Sequence, residues 1–337
     1  MLDAAKFIVF WSTSNVEAAL SSLRSKEAAK VRVALRLARR GVNIRRRSIL
    51  YAVAERAAWL EAMGVDRQTA TDVLLSEYRL RAEEHMRTIS SAFNTVVFIA
   101  AMTFLMSIVI SMLALLSPDA SKYASAFSIF ALMTAFMLEG IIEPVKRWDY
   151  RVTALAMAPA ALSLFWPQAL YAVPIAAALY AVWYIPQRRE AEEELTMALR
   201  GRLQAASTPL AKEALEIIKA VRMSGAYYLQ SAAEFIMRII EHYYKSIRFS
   251  GLIRAFIVIS LVFVMVMAIN SLQKPLAEMV EKAKSGPTSL PFQLYVPEFK
   301  QTVLVAAFIA ALIAGRMTES YAAAPLYTPV MLLSLLV

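Results

Sequence analysis

The chain contains no cysteine, and both glycine and histidine are scarce. Its 337 residues include 8 Gly and 2 His. Without cysteine, disulfide bonds, thiol catalysis and cysteine-based metal sites are excluded. The few glycines are dispersed, so neither a phosphate-binding P-loop nor a dinucleotide-binding fingerprint is present, since both need glycines at fixed spacing. The sequence therefore contains no motif for nucleotide hydrolysis, and we predict no cofactor.

The two histidines do not form a metal-binding pattern. Each follows a glutamate, as Glu84-His85 and Glu241-His242. Adjacent residues on a helix point in different directions, whereas dinuclear sites in helical bundles use Glu-x-x-His pairs on facing helices. Solvated surface positions are the favoured interpretation of both histidines. We predict no metal site and no catalytic residue, so the protein is not expected to be an enzyme.

Charged residues are also few, at 18% of the chain, against about a quarter in soluble domains. The apolar excess lies in segments long enough to be membrane spans, since a hydrocarbon core of ~30 Å needs about 20 apolar residues per helix. We predict seven spans, at 93–116, 124–143, 152–166, 168–185, 255–273, 302–315 and 321–337. The third and fourth are short and contain prolines, which predicts a tight hairpin.

The basic residues favour one side of the predicted membrane. With a cytoplasmic N-terminus, all but five of the 36 Lys and Arg residues fall in cytoplasmic segments. The five on the outer side are Lys122, Lys274, Lys282, Lys284 and Lys300. Basic residues are retained in the cytoplasm during insertion, so this bias predicts a multi-pass protein of the cell membrane. Anionic lipid headgroups account for the net charge of +10, and no nucleic-acid partner is expected.

The predicted fold is an all-α, polytopic membrane protein with about seven spans and two cytoplasmic helical-bundle segments. Residues 1–92 form the first bundle and 93–185 hold spans one to four. The second cytoplasmic segment covers 186–252, and 253–337 hold the last three spans with an outer loop at 274–300. Near the start, the apolar residues 7–11 either lie on the membrane surface or pack against the first bundle.

The two cytoplasmic segments follow similar plans. In the first, a helix ends at Gly64, and Asp66 caps a long helix that contains no Gly or Pro from Arg67 to residue 117. In the second, a helix over 209–224 ends near Gly225, and a last long helix begins at about residue 227. Aligning the two glycines, an offset of 161 residues, places apolar positions on apolar positions. We interpret this as an internal duplication, although two helical hairpins also match by chance.

A run of arginines flanks Gly41 at a predicted helix turn. These arginines are Arg39, Arg40, Arg45, Arg46 and Arg47. The simpler interpretation is a corner that faces solvent or lipid headgroups. The alternative is a docking patch for an acidic cytoplasmic partner, because clustered positive charge raises association rates and fixes orientation.

Glu139 is the acidic residue furthest inside a predicted span, with Glu143 at the very end of the same span. Ionisable residues within membranes mark functional sites by default, which makes Glu139 a candidate intramembrane polar residue. It lies within about a turn of the cytoplasmic end of its span. Its carboxylate can extend toward Lys146, Arg147 or Arg151, and we favour this structural interpretation.

The architecture resembles a known family. The resemblance rests on two segments. One is 57–97, with Gly64 and the long helix that follows, and the other is 216–272, with Gly225 and Tyr227-Tyr228. The hairpin at 152–185 and a glycine near the last turn, Gly315, add to it. In these features the chain resembles the platform proteins of type II secretion and type IV pilus machines, and most closely the archaeal branch, the TadC-like and archaellum platform proteins. The second cytoplasmic segment is short for that family, and no diagnostic motif is present.

The resemblance implies a non-enzymatic scaffold in the cell membrane. Such platforms couple a cytoplasmic ATPase to the extraction of pilin subunits from the bilayer, and they act as dimers or small rings. The docking patch would then contact the ATPase. Which filament is built, for adhesion, DNA uptake or motility, stays open. The alternatives are a polytopic transporter or channel, and a membrane receptor without a recognisable sensor motif.

Overall fold

The computed structural model describes residues 1–23, 25–40, 42, 48–113, 133, 146, 148–224, 227–285, 296–318 and 320–336. The α-helices in these residues are α1 (Leu2–Thr13), α2 (Val16–Ser22), α3 (Lys26–Ala38), α4 (Ile49–Ala62), α5 (Arg67–Leu113), α6 (Tyr150–Ser163), α7 (Val173–Leu199), α8 (Pro209–Ser224), α9 (Tyr227–Ser285) and α10 (Val296–Thr318). Three 3₁₀ segments occupy Pro167–Ala172, Tyr321–Leu326 and Thr328–Leu336. No strand occurs in these ranges, so the prediction of an all-helical fold is confirmed for them.

The chain forms two compact units. The first, here the helical unit, consists mainly of Met1–Ile89 and Arg189–Ile247. The second, here the apolar unit, is drawn from Ser90–Pro144, Trp148–Arg188 and Arg248–Val337. The boundary falls within α5, α7 and α9, so three helices contribute residues to both units.

The N-terminal helix belongs to the core of the helical unit. Phe7, Ile8 and Trp11 are buried almost completely, and α1 packs against α2, α4 and α8. Lys6 of α1 forms an ion pair with Glu216 of α8 at 2.7 Å. Of the two placements that the sequence allows for residues 7–11, the structure therefore has them packed within the helical unit.

Local capping contacts explain where these helices begin and end. The Asn15 side chain accepts a hydrogen bond from the backbone N–H of Ala18 at 2.8 Å. Gly64 has φ +68, a left-handed conformation that glycine adopts without strain. The Asp66 carboxylate then accepts the backbone N–H of Gln68 at 3.1 Å and so caps α5. The predicted turn at Gly64 and cap at Asp66 are confirmed.

Helices α5 and α9 bury matching faces. Apart from Ala82, each described buried residue of α5 has a buried counterpart in α9 that lies 162 positions later. These pairs include Leu74 and Ile236, Leu75 and Met237, Tyr78 and Ile240, Phe93 and Ala255, Val96 and Val258, and Ala100 and Val262. The offset of 161 from the glycines instead pairs Val96 with Ile257, which is 40% exposed. The burial pattern supports a duplication in which Gly225 and the buried Ala232 are one position further apart than Gly64 and the buried Ala70.

Four helices in the described part of the chain are long and apolar enough to cross a membrane. They lie within Arg67–Met106, Pro167–Leu199, Leu229–Ser271 and Lys300–Thr318. The coarser prediction, a multi-pass membrane protein, is thus supported, whereas the count of seven spans is not confirmed. The segment 124–143 lies outside the described residues, apart from position 133.

Two other predicted spans have a different form. The segment 152–166 belongs to α6, whose 14 residues extend roughly 21 Å at 1.5 Å per residue, less than a hydrocarbon core. The segment 321–337 forms two 3₁₀ segments up to Leu336 rather than an α-helix. Pro325 and Pro329 explain this difference, because proline has no N–H to donate and clashes with the preceding helical turn.

Helix α10 occupies the interior of the apolar unit. In its apolar stretch 78% of the residues are buried, against about a third in those of α5, α7 and α9. Small residues allow its close packing. A Cβ atom on Gly315 would lie 2.6 Å from the Cα of Ala324, and one on Gly251 of α9 would collide with the backbone carbonyl oxygen of Met317. Both glycines are therefore required by close backbone approaches.

The Tyr78 hydroxyl in the helical unit leads to a stability prediction. Tyr78 is fully buried, and its hydroxyl has no hydrogen-bond partner among the described residues. An unsatisfied buried polar group costs about 1–3 kcal/mol. We expect Tyr78→Phe to raise the free energy of unfolding by about 1 kcal/mol in chemical denaturation of the detergent-solubilised protein.

The same substitution should change the response to alkaline pH. Burial, followed by the nearby Tyr243, raises the pKa of Tyr78 above its ordinary value of 10.0. The unfolded chain then loses this proton first, so the stability from the neutral phenol is lost as pH rises above 10. The variant should lose less stability than wild type between pH 9 and 11. Equal slopes for the two proteins would contradict this assignment.

Candidate functional site

The arginines of the predicted docking patch are described only in part. Arg39 lies at the end of α3 and forms an ion pair with Glu17 at 3.6 Å, an exposed contact that Arg36 shares at 3.5 Å. Arg40 follows it and is exposed. Arg45, Arg46 and Arg47 lie outside the described residues, as does Glu139.

The histidines do not form a metal site in the described part of the chain. His85 stacks on Tyr243 with ring centroids 6.0 Å apart and an interplanar angle of 5°. Desolvation, and then the N-terminal amino group, lower the pKa of His85, while Glu27 opposes this effect. His242 is exposed. In the same described ranges, no group of three His, Cys, Asp or Glu side chains is placed to hold a metal ion.

The helical unit contains a cleft of about 650 Å³ between the end of α7, α8 and the first half of α9. We call it the arginine cleft. Its four arginines are Arg200, Arg202, Arg222 and Arg238. Two glutamates, Glu234 and Glu241, also line the cleft, together with Gln230, Gly201 and apolar side chains. A pocket of this size is in the range of ligand sites, about 300–1,000 Å³.

Two of the four arginines hold the walls of the cleft together. The Arg222 guanidinium donates a hydrogen bond to the backbone carbonyl of Gly201 at 3.2 Å. Gly201 ends α7 with φ +67, which glycine accommodates without strain. Arg200 lies 3.6 Å from the carboxylate of Glu241. These contacts connect the end of α7 to both α8 and α9.

Two glutamates near the cleft are held in their charged form. The hydrogen bond from Lys245, at 2.6 Å, lowers the pKa of Glu241, against a desolvation effect and with help from Arg200. Partial burial raises the pKa of Glu194, but hydrogen bonds from Ser207 and Thr208 outweigh it and leave that pKa below its ordinary value. The bonds to Glu194 fix the connection between α7 and α8, which carries Arg202.

The other two arginines of the cleft are available to a ligand. Arg202 is exposed, and no hydrogen bond or ion pair of its side chain is seen with the residues that the structure describes. Arg238 is 80% exposed and lies 4.0 Å from Glu234, one helical turn away. Such an exposed pair contributes little free energy. Both guanidinium groups can therefore bind an incoming anion at small energetic cost.

A second groove adjoins the arginine cleft. Its volume is about 530 Å³, and it is lined by residues of α5 and α9, including Leu75, Arg79 and Phe235. Glu234 and Arg238 line both depressions. The concave surface therefore continues along α9 beyond the cleft itself.

The apolar unit contains a separate polar cluster around Arg254 of α9. Its guanidinium donates to the side chains of Asn94 at 2.9 Å and Ser90 at 2.7 Å, both on α5. It also donates to Ser250 on its own helix, and it lies 5.4 Å from the centroid of the Phe93 ring. Arg254 thus links the two long helices, a role that we regard as structural.

Sequence reasoning did not identify the arginine cleft or the Arg254 cluster. From the sequence, all of these arginines were interpreted only as cytoplasmic positive charge. Arg316 was treated in the same way, yet it is 5% exposed within the apolar unit, near the Tyr321 ring. One signal was available for the cleft, since Arg200-Gly201-Arg202 places two arginines beside a helix-ending glycine.

No protein-family model, no curated protein and no solved structure matches the chain. Its function must therefore be inferred from its own residues.

Proposed function

We propose that the protein is a membrane platform of an archaeal-type type IV pilus, archaellum-like or secretion machine. In this role it has no catalytic activity of its own. It couples a cytoplasmic ATPase to the extraction of pilin subunits from the bilayer and to their assembly into a filament. It acts as a homo-oligomer, a dimer or a small ring, with its N-terminus in the cytoplasm.

The observation that supports this proposal is the repeated pair of long helices. Helix α5 has 47 residues and α9 has 59, and each joins a charged half to an apolar half. Sharp kinks in helices arise at proline, at glycine–serine pairs or at bulges. Helix α5 contains no glycine or proline. In α9 the pair Ser250-Gly251 lies where the charged half meets the apolar half, yet the helix continues unbroken from Tyr227 to Ser285, and Pro275 lies beyond its apolar stretch. Continuous helices of this kind are suited to carry a movement from cytoplasmic residues to membrane-spanning ones.

The proposed contact for the ATPase is the docking patch at Arg39, Arg40 and Arg45 to Arg47. Five arginines lie within nine consecutive residues there, and Glu17 is seen near the first of them. Clustered arginines steer an acidic partner toward its docking geometry. The bilayer and the pilin transmembrane helices are the partners proposed for the apolar unit.

Co-purification from native membranes tests both parts of this proposal. We expect a tagged full-length chain to bring down a hexameric secretion ATPase, and a variant with Arg45, Arg46 and Arg47 reversed to Glu to recover less than a tenth as much. The matched control reverses three exposed basic residues elsewhere, Arg87, Lys212 and Lys219, and should retain most of the ATPase.

The outcomes separate the function from the patch. If no secretion ATPase or pilin is recovered with the wild-type chain after cross-linking, the platform function is wrong. If the ATPase is recovered equally with wild type and the reversed variant, only the docking patch is wrong. Equal loss with the control variant would mean that net charge, rather than the patch, governs the interaction.

A further inference from the structure

We propose that the arginine cleft is a docking site for an acidic peptide segment that also carries an aliphatic side chain, contributed by a protein partner. This inference goes beyond the proposed function, because it assigns a second surface and its ligand chemistry without reference to filament assembly. The geometry indicates that some of the arginines stabilise the walls of the cleft, whereas others recognise the bound segment.

The recognition residues are Arg202 and Arg238. Both side chains are exposed, and neither forms a close ion pair with the described residues. Arginine is suited to this role because its planar guanidinium binds a carboxylate through two parallel hydrogen bonds. Two carboxylates on one segment can therefore pair with two arginines on different walls of the cleft.

The floor of the cleft calls for an apolar side chain between those carboxylates. Ile218 and Val221 of α8 and Met237 of α9 line it. Val221 and Met237 are mostly buried, at 6% and 4% exposed, so they form a fixed surface. An aliphatic residue placed here removes apolar area from water, which favours binding. The cleft thus suits an acidic segment with an aliphatic residue better than a uniformly acidic one.

The same walls disfavour a phosphate or nucleotide. Phosphate sites use helix N-termini, whose partial charge is positive. Two helix C-termini, those of α7 and α8, lie at this cleft, where the partial charge is negative, against one N-terminal turn, that of α9 at Gln230. Glu234 and Glu241 add negative charge to the walls. No aromatic ring is found among the described lining residues to stack on a nucleobase.

The shape of the surface favours a chain rather than a compact molecule. The cleft continues into the adjoining groove through the shared residues Glu234 and Arg238. That groove presents Arg79 together with Phe235, another pairing of a basic and an apolar side chain. An extended peptide can occupy both depressions, whereas a small anion fills only part of one.

Fluorescence anisotropy with synthetic peptides tests this proposal on the full-length protein in detergent. The probe is a labelled octapeptide of aspartate, glutamate and two leucines, measured near physiological salt, where long-range attraction between exposed charges is screened. We expect saturable binding, and a rise in Kd of at least tenfold for Arg202→Glu combined with Arg238→Glu. The matched control, Arg87→Glu with Lys212→Glu, has the same net charge and should bind within twofold of wild type.

Two further arms distinguish the occupants. A peptide with serine in place of both leucines should bind at least fivefold more weakly, and equal binding would overturn the role of the apolar floor. An equal loss of affinity in the control variant would show that net charge alone explains the effect, and would contradict the assignment of the arginine cleft as the binding site. Displacement of the peptide by ATP or inorganic phosphate at similar concentrations would instead identify a phosphate site.

These measurements are independent of the platform function. The peptide either binds the cleft or does not, whichever ATPase is recovered with the chain. Thermal unfolding of each variant checks that the fold is retained, and Arg238→Gln alone gives a second, milder variant. Wild-type affinity in this variant and in the double variant would also overturn the assignment.

Discussion

Replacement of Gly315 by alanine is expected to destabilise the protein, although alanine normally favours a helix interior by up to about 1 kcal/mol over glycine. The new Cβ atom would lie 2.6 Å from the Cα and 2.9 Å from the Cβ of Ala324. Backbone cannot move aside as a flexible side chain can. Inserting a methyl group into packed structure costs about 1–3 kcal/mol, which exceeds the helix preference.

Unfolding of the detergent-solubilised protein measures this effect. Gly251→Ala should behave in the same way, because its Cβ would meet the backbone of Met317. The control is Ala178→Val, which adds two methyl groups on an exposed face of α7 and should change the free energy of unfolding by less than about 0.5 kcal/mol. A gain in stability for Gly315→Ala would show that the close approach to Ala324 is absent.

Removal of the Arg254 side chain is the second substitution with a large expected effect. Arg254→Ala loses the two hydrogen bonds to α5 side chains, those of Ser90 and Asn94, a longer one to the Ser90 carbonyl, and the contact with the Phe93 ring. Hydrogen bonds between membrane helices contribute about 0.6 kcal/mol each, and a cation–π contact adds about 0.5–1 kcal/mol. We expect a total loss of roughly 2 kcal/mol in the free energy of unfolding.

A double-mutant cycle assigns part of this loss to one contact. Arg254→Ala, Asn94→Ala and the combined variant should give a coupling energy of at least about 0.5 kcal/mol, as contacting residues do. Arg254→Lys retains the charge but not the planar group, and should recover less than half of the loss. If the two single effects add within about 0.3 kcal/mol, the hydrogen bond to Asn94 does not link the helices.

The local signals in the sequence were sufficient for the helical unit. Asp66 caps its helix as predicted, and Gly64 has the left-handed backbone that a helix-ending glycine predicts. These features depend on residues within a few positions of one another. The sequence therefore contains all the information that they require.

The register of the duplication required the structure. An alignment on Gly64 and Gly225 gives an offset of 161, whereas the buried faces of α5 and α9 agree at 162. The glycine alignment assumes the same number of residues between each glycine and the buried face that follows it, whereas six positions separate Gly64 from Ala70 and seven separate Gly225 from Ala232. Burial depends on the neighbours that each helix packs against. The buried residues therefore show how the two helices align, which the positions of the glycines do not.

The arginine cleft was not predictable for a related reason. Its residues come from three helices and from the connection at Arg202, and they are brought together by the packing of α7, α8 and α9. Hydropathy and periodicity show which face of a helix is buried, but they do not show which helices meet. The apolar 3₁₀ segments at 321–336 were missed for a simpler reason, since Pro325 and Pro329 already argued against an α-helix there.

The matched burial of α5 and α9 also limits how their lengths can change. One residue inserted inside an α-helix rotates everything beyond it by about 100°. Inserted before Ala255 in α9, it would move that residue into the exposed position of Phe256 and bring Ile257, now 40% exposed, into the buried position of Val258. The spacing of the buried residues along each helix must therefore be kept, and an insertion there should be far less well tolerated than one in a connecting loop.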